Sequence, residues 1–219
     1  MVYDCVERCS TRNIDLAFVV DSSTKSDGNA WSSMLSFVNF VIDRYHIGSN
    51  DVRVAFVRYA DHANVEFNLD RYTDANSLKT AVSAVQLLNG GSNLTVALDT
   101  VRTQVFGSSA ARQGVWKVTI VITDQLQGSA ALTTAISNAK AADIRMYGVG
   151  IRVNGRQINS STLYTLSEQR GQNNPWQATF VNGYSDLTNH VQSLLGFTCL
   201  EGSAGLAPTT SPNVPSKYS

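Results

Sequence analysis

The sequence predicts an α/β fold: a doubly wound, mostly parallel central sheet with one antiparallel edge strand and helices on both faces. Three observations predict it. Short apolar runs rich in Val, Ile and Phe recur along the chain and read as strands buried on both faces. Segments with helical spacing of apolar residues separate them, which is the alternation of a parallel sheet covered by helices. One pair of strands is joined by a turn too short for a crossover, so it forms an antiparallel hairpin at an edge.

The elements follow in order. The run Asp15–Val20 (DLAFVV) is the first buried strand. After a polar loop, Trp31–Tyr45 carries apolar residues at 31, 34, 35, 37, 38, 41, 42 and 45, the broad face of a packed helix. Arg53–Tyr59 is a strand, ADHA a turn, and Asn64–Phe67 an alternating, half-exposed edge strand. Helices are predicted near Asn76–Val85 and Leu94–Val105, and a second fully buried strand at Trp116–Thr123. A helix near Ala130–Ala142, a strand at Arg145–Gly150 and a short helix near Ser161–Ser167 follow. The last elements are a strand at Ala178–Val181 and a helix at Ser185–Leu195.

The 219 residues suit one domain with a full core. The expected boundaries are an N-terminal flank at 1–13, the domain at 14–199, and a linker or tail at 200–219. That last segment holds three of the four prolines and few large apolar residues. The formal net charge is +0, so the basic excess of a nucleic-acid binder is missing. No apolar run reaches the roughly 18 residues of a membrane-spanning helix. The first residues are polar and lack an apolar signal core, as in an intracellular protein or a mature piece with an added start methionine.

The three cysteines, Cys5, Cys9 and Cys199, bracket the periodic region. That placement reads as a clasp between the two ends, formed in an oxidising compartment. Cys199 would pair with Cys5 or with Cys9, leaving one thiol able to join another chain. The alternative is three free thiols.

In a doubly wound sheet, ligands bind at the carboxyl ends of the strands. Asp21-Ser22-Ser23-Thr24-Lys25 follows the first strand, and Asp124 follows the second fully buried one. Between them, Asn89-Gly90-Gly91-Ser92-Asn93-Leu94-Thr95 opens a helix. Two adjacent carboxylates repel unless a cation or a shared proton compensates. Carboxylates and hydroxyls are hard oxygen ligands suited to Mg²⁺ or Mn²⁺.

Asp-x-Ser after the first strand, the Gly-Gly loop before Ala97-Leu98, and Thr123-Asp124 together resemble the von Willebrand factor A domain. The resemblance covers residues 14–198 and includes the segments VRVAFVRYADHANVEF and GGSNLTVALDTV. In style it is similar to the A domains of collagen VI, matrilins and matrix proteins of molluscan threads and shells. It implies a metal-ion-dependent adhesion site whose ion leaves a position open for a partner's carboxylate. Carried over, the metal ligands are Asp21, Ser23, Ser92 and Asp124, with Asn93 the rival to Ser92. Three positions depart from the family: Lys25 stands where a serine is usual, while Gln125 and Thr95 replace glycines. The Lys25 ammonium either points to solvent or sits between Asp21 and Asp124 in the cation's place.

Asn93-Leu94-Thr95 and Asn159-Ser160-Ser161 match the glycosylation triplet. His46, His62 and His190 read as surface or cap residues, Trp31 and Trp116 as core, and Trp176 as half-buried packing. Arg152, Arg156 and Arg170 read as a solvated surface near the outlet of the Arg145–Gly150 strand. Neither Gly-x-Ser-x-Gly nor a phosphate loop is present, so catalysis is not expected. The leading reading is a secreted extracellular-matrix module that binds collagen or another matrix protein. One alternative is a matrix-assembly module with a degenerate metal site, joined by other surfaces or an intermolecular disulfide. Another is an intracellular subunit of an enzyme complex.

Overall fold

Six strands form one sheet in the order β3-β2-β1-β4-β5-β6 in the computed structural model, which describes residues 13–23, 28–167 and 178–190. The strands are β1 (Ile14–Asp21), β2 (Val52–Tyr59), β3 (Ala63–Phe67), β4 (Trp116–Thr123), β5 (Ile144–Ile151) and β6 (Ala178–Val181). Only β3, paired with β2, runs antiparallel. The helices are α1 (Gly28–Ile42), α2 (Ala75–Ser83), α3 (Leu94–Thr100), α4 (Ala130–Ala141) and α5 (Ser160–Ser167).

Every residue of β1 is buried, as its unbroken apolar run requires of a central parallel strand. Its side chains alternate between two cores. Leu16, Phe18 and Val20 face α1 and α2, packing with Met34, Phe37, Val38, Val41, Leu78 and Val82. Ala17 and Val19 face the other layer, with Leu98, Val101, Ile136, Leu163 and Leu166 of the α3, α4 and α5 side. Small residues on that second face let the helices approach closely. A Cβ at Gly148 of β5 would lie 2.4 Å from Leu163 Cδ1 and 2.8 Å from its Cγ, so α5 seats where β5 has no side chain.

The bottom of β1 is held by a buried ion pair. Asp15 is fully buried, and Arg112 donates to it from its backbone N at 2.7 Å and from Nε at 2.8 Å. Arg112 Nη2 also donates to the carbonyls of Ile14 (2.9 Å) and Asp51 (2.8 Å), joining the loop before β4 to the starts of β1 and β2.

Three expectations need correction. The helix expected over Leu94–Val105 is α-helical only to Thr100 and continues as a wide π turn over Val101–Val105. In place of the start of the last predicted helix, Tyr184–His190 is a 3₁₀ turn. There Asp186 accepts from Asn182 N at 3.4 Å and from Asn189 Nδ2 at 3.1 Å, local bonds that compete with α-helical ones. Trp31 is buried and donates to Val85 O at 2.9 Å, but Trp116 is only half-buried. The Arg145 guanidinium covers the Trp116 ring at 3.4 Å. His46 and His62 are exposed, and His46 pairs with Asp51 at 3.0 Å. Lys25, Arg170, Trp176 and the three cysteines lie outside the described residues.

Arg112→Ala leaves the Asp15 carboxylate buried without its guanidinium, and should lower unfolding free energy by about 3–5 kcal/mol. Urea denaturation measures it, and a loss below about 0.5 kcal/mol would rule out this role for the pair. Gly148→Ala should cost about 1–3 kcal/mol by overpacking against Leu163, read as a drop in thermal midpoint.

Candidate functional site

The strand order reverses between β1 and β4, since β1 connects outward to β2 and β4 connects outward to β5 on the other side. The crevice at the carboxyl ends of these two strands is therefore where the topology leaves room for a ligand. Asp21 ends β1 and Asp124 directly follows β4, and both are fully buried.

Asp21 gathers hydroxyls from three segments. Ser92 Oγ donates to Asp21 Oδ2 at 2.7 Å, Thr123 Oγ1 at 3.0 Å and Tyr59 OH at 3.3 Å. The Ser23 backbone N donates to Asp21 Oδ1 at 3.1 Å. Burial, and then the neighbouring Asp124 charge, push the Asp21 carboxyl from 3.8 up to about 6. Burial and the Asp21 carboxylate likewise hold the Tyr59 phenol well above its ordinary value.

Ser92 reaches Asp21 because of the backbone before it. Asn89 (φ 63°) and Gly90 (φ 123°) adopt left-handed conformations, the second suited to glycine. A Cβ at Gly90 would lie 2.4 Å from Asp61 Oδ2, and one at Gly91 2.5 Å from Asp61 Oδ1. The Asp61 carboxylate lies against both glycines, and it is the φ of Gly90 that calls for the missing side chain. Asn89 N donates to Ser22 O (3.0 Å), Leu88 N to Ser22 Oγ (2.7 Å) and Asn93 N to Ala60 O (2.9 Å), tying the loop to β1 and β2. Asn93, the rival position, is exposed and caps α3 by accepting from Val96 N at 3.4 Å. Thr95 and Gln125 line a cleft of about 180 Å³ between the starts of α3 and α4.

Asp124 has different company. Arg156 Nη1 donates to Asp124 Oδ2 in a close ion pair, and Tyr184 OH donates to the same oxygen. Arg156 Nη1 also donates to Tyr184 OH at 2.7 Å. The Arg156 side chain is only 14% exposed, which corrects the reading of this arginine as solvated surface. Arg152, by contrast, is exposed, its guanidinium 4.3 Å from the centre of the Phe180 ring. A bridge between Leu126 and Ile158 explains the placement. Leu126 N donates to Gln157 O at 3.0 Å and Asn159 N to Leu126 O at 2.8 Å, so the loop after β5 lies against the loop after β4. No sequence motif marks that contact; the nearest signal is the Asn154-Gly155 turn, with Gly155 at φ 77°, just before Arg156.

The donor set is one of hard oxygens. No group of three or more His, Cys, Asp and Glu occurs among the described residues, so hydroxyls must complete any cation site. Ser23 Oγ is buried beside Asp21 and has no hydrogen-bonding partner among the described residues. A buried hydroxyl of this kind fits a ligand position. Asp21, Ser92 and the Ser23 hydroxyl thus fit a divalent cation, while the fourth member of the set, Asp124, is engaged by a guanidinium.

Residues 15–191 match the family model of the von Willebrand factor type A domain. Mouse matrilin-3 is 33% identical over 147 residues, covering 65% of this chain and 30% of that protein. Chicken matrilin-3 is 34% identical over 164 residues, covering 73% and 35%. The chain thus spans about a third of the length of these relatives. Among solved structures, proximal thread matrix protein 1 of the mussel byssus, with a zinc-occupied MIDAS motif, superposes with a TM-score of 0.76 at 23% identity. The match covers 87% of this chain and 46% of that one. The manganese-loaded TRAP protein of Plasmodium vivax has a TM-score of 0.66 at 15% identity, covering 84% and 74%.

The raised Asp21 value sets a sign for pH dependence. A carboxyl that folds with a higher pKa favours the folded state below its unfolded value and loses that contribution as pH rises through about 6. Without divalent cations, wild-type stability should therefore fall between about pH 4 and 6 by an Asp21 contribution on the order of 3 kcal/mol. Asp21→Asn should lack this decline. Chemical denaturation in EDTA at pH 4, 5, 6 and 7 measures the difference, and parallel profiles would refute it.

Proposed function

Because the chain belongs to the von Willebrand factor type A domain family, we propose that it is an extracellular-matrix adhesion module binding a matrix protein through the crevice at the top of β1 and β4. Its setting is the secreted extracellular matrix, as for the matrilin and thread-matrix proteins it resembles. The observation that carries the reading is the pair of buried carboxylates, Asp21 and Asp124, brought to one crevice with the orphaned Ser23 hydroxyl.

In this reading Asp21, Ser23, Ser92 and Asp124 hold Mg²⁺ or Mn²⁺. The bound cation supplies a Lewis-acidic open position for a carboxylate of collagen or another matrix protein. The chain's own residues do the rest. Ser92 and Thr123 orient the Asp21 carboxylate, Tyr59 closes the crevice from the β2 side, and the Gly90-Gly91 loop sets the height of Ser92. The domain works by binding and not by catalysis. The domain spans 14–199, Cys199 clasps Cys5 or Cys9, and Lys25 modifies metal affinity. Asn159 and Asn93 are its glycan acceptors. Both asparagines are exposed, and Asn159 Oδ1 caps α5 by accepting from Thr162 N at 2.9 Å.

A second reading has one observation in its favour. With Arg156 on Asp124, the top face is already charge-compensated, as in an assembly module that needs no metal.

Surface binding to fibrillar collagen in Mg²⁺ and again in EDTA tests the proposal. Binding should be present in Mg²⁺, lost in EDTA, and reduced at least tenfold in Asp21→Ala. Binding unchanged in EDTA would favour the second reading, and no binding in either buffer would remove collagen as the partner.

A further inference from the structure

We infer that Arg156 is a built-in competitor for a divalent cation at Asp124: its guanidinium pairs with that carboxylate and must leave before a cation can bind there. The inference rests on the metal-dependent reading above and names the residue of this chain that sets the affinity of that site.

The placement is specific. Asp124 is fully buried, so its charge needs a partner inside the protein. Arg156 supplies it through a side chain only 14% exposed, and Tyr184 closes the triangle by donating to Asp124 and accepting from Arg156. The loop carrying Arg156 is itself pinned, since Gln157 and Asn159 both bond Leu126. Arg156 is thus held beside the site by backbone bonds that do not depend on its side chain. The side chain can swing out from there, because Arg152, Asn154, Gly155 and Gln157 around it are exposed.

Charge decides the competition. Two carboxylates balance one divalent cation, whereas a cation bound alongside the guanidinium leaves an excess positive charge within a few ångströms. Both the guanidinium and the phenol sit on Asp124 Oδ2, so a divalent cation at this carboxylate meets the repulsion of Arg156. On the Asp21 side no side-chain cation contacts the carboxylate among the described residues. Its partners there are hydroxyls and a backbone N–H.

Isothermal titration of Mn²⁺ and Mg²⁺ into wild type, Arg156→Gln and Tyr184→Phe tests this. Arg156→Gln should bind at least tenfold more tightly than wild type, and Tyr184→Phe should shift affinity in the same direction by less. In parallel, the Arg156 Nε–H NMR resonance of wild type should move to a solvent-exposed position as Mg²⁺ is added. If Arg156→Gln does not fold, the resonance decides alone. Affinity within twofold of wild type, a resonance indifferent to saturating Mg²⁺, or no metal binding by either protein would overturn the inference. Tighter metal binding by Arg156→Gln, with no collagen binding by any form, would leave the inference standing and defeat the choice of collagen as ligand.

Discussion

Two carboxylates buried at the ends of adjacent parallel strands must be charge-compensated, and the upper half of this domain is arranged around that constraint. Asp21 and Asp124 are both fully buried because β1 and β4 are the central strands, with helices on both faces. A charge there cannot rely on water. The protein answers the two demands differently. Asp21 receives three hydroxyls and a backbone N–H, whereas Asp124 receives a guanidinium and a phenol. The asymmetry divides the crevice into a half lined by hydroxyls and a half that holds a guanidinium.

The lower half of the sheet meets the same physics with a closed solution. Asp15, as deeply buried as Asp21, is saturated by the Nε and backbone N of Arg112, and the same guanidinium caps the carbonyls of Ile14 and Asp51. Three buried aspartates follow two logics. The one at the amino ends of the strands is sealed for stability, and the pair at the carboxyl ends is positioned where the topology opens.

Packing on the two faces supports both ends. Ala17, Ala55 and Gly148 on the face under α3, α4 and α5 bring the second helical layer close to the sheet. The starts of α3 and α4 then flank the crevice, with Ser92 just before one and Gln125 on the way to the other. Gly90 serves the site through its backbone, since its φ of 123° is one that residues with a Cβ rarely adopt and it turns the chain toward Ser92.

Much of this was legible in the sequence. The apolar runs and helical spacings determined the order of strands and helices, because burial on both faces of a parallel sheet leaves little choice of residue. The motif residues Asp21, Ser92 and Asp124 determined that carboxylates and hydroxyls would share one edge. The sequence could not show that Arg156 would reach Asp124. That contact joins residues 32 apart through the Leu126–Ile158 bridge, a pairing of two loops with no periodic signature. Nor did helical spacing foretell the π turn after Thr100 or the 3₁₀ turn at Tyr184. Local pattern records which face of an element is buried; which loops meet above the sheet is decided by how the finished layers pack, and the partner of Asp124 depends on that packing.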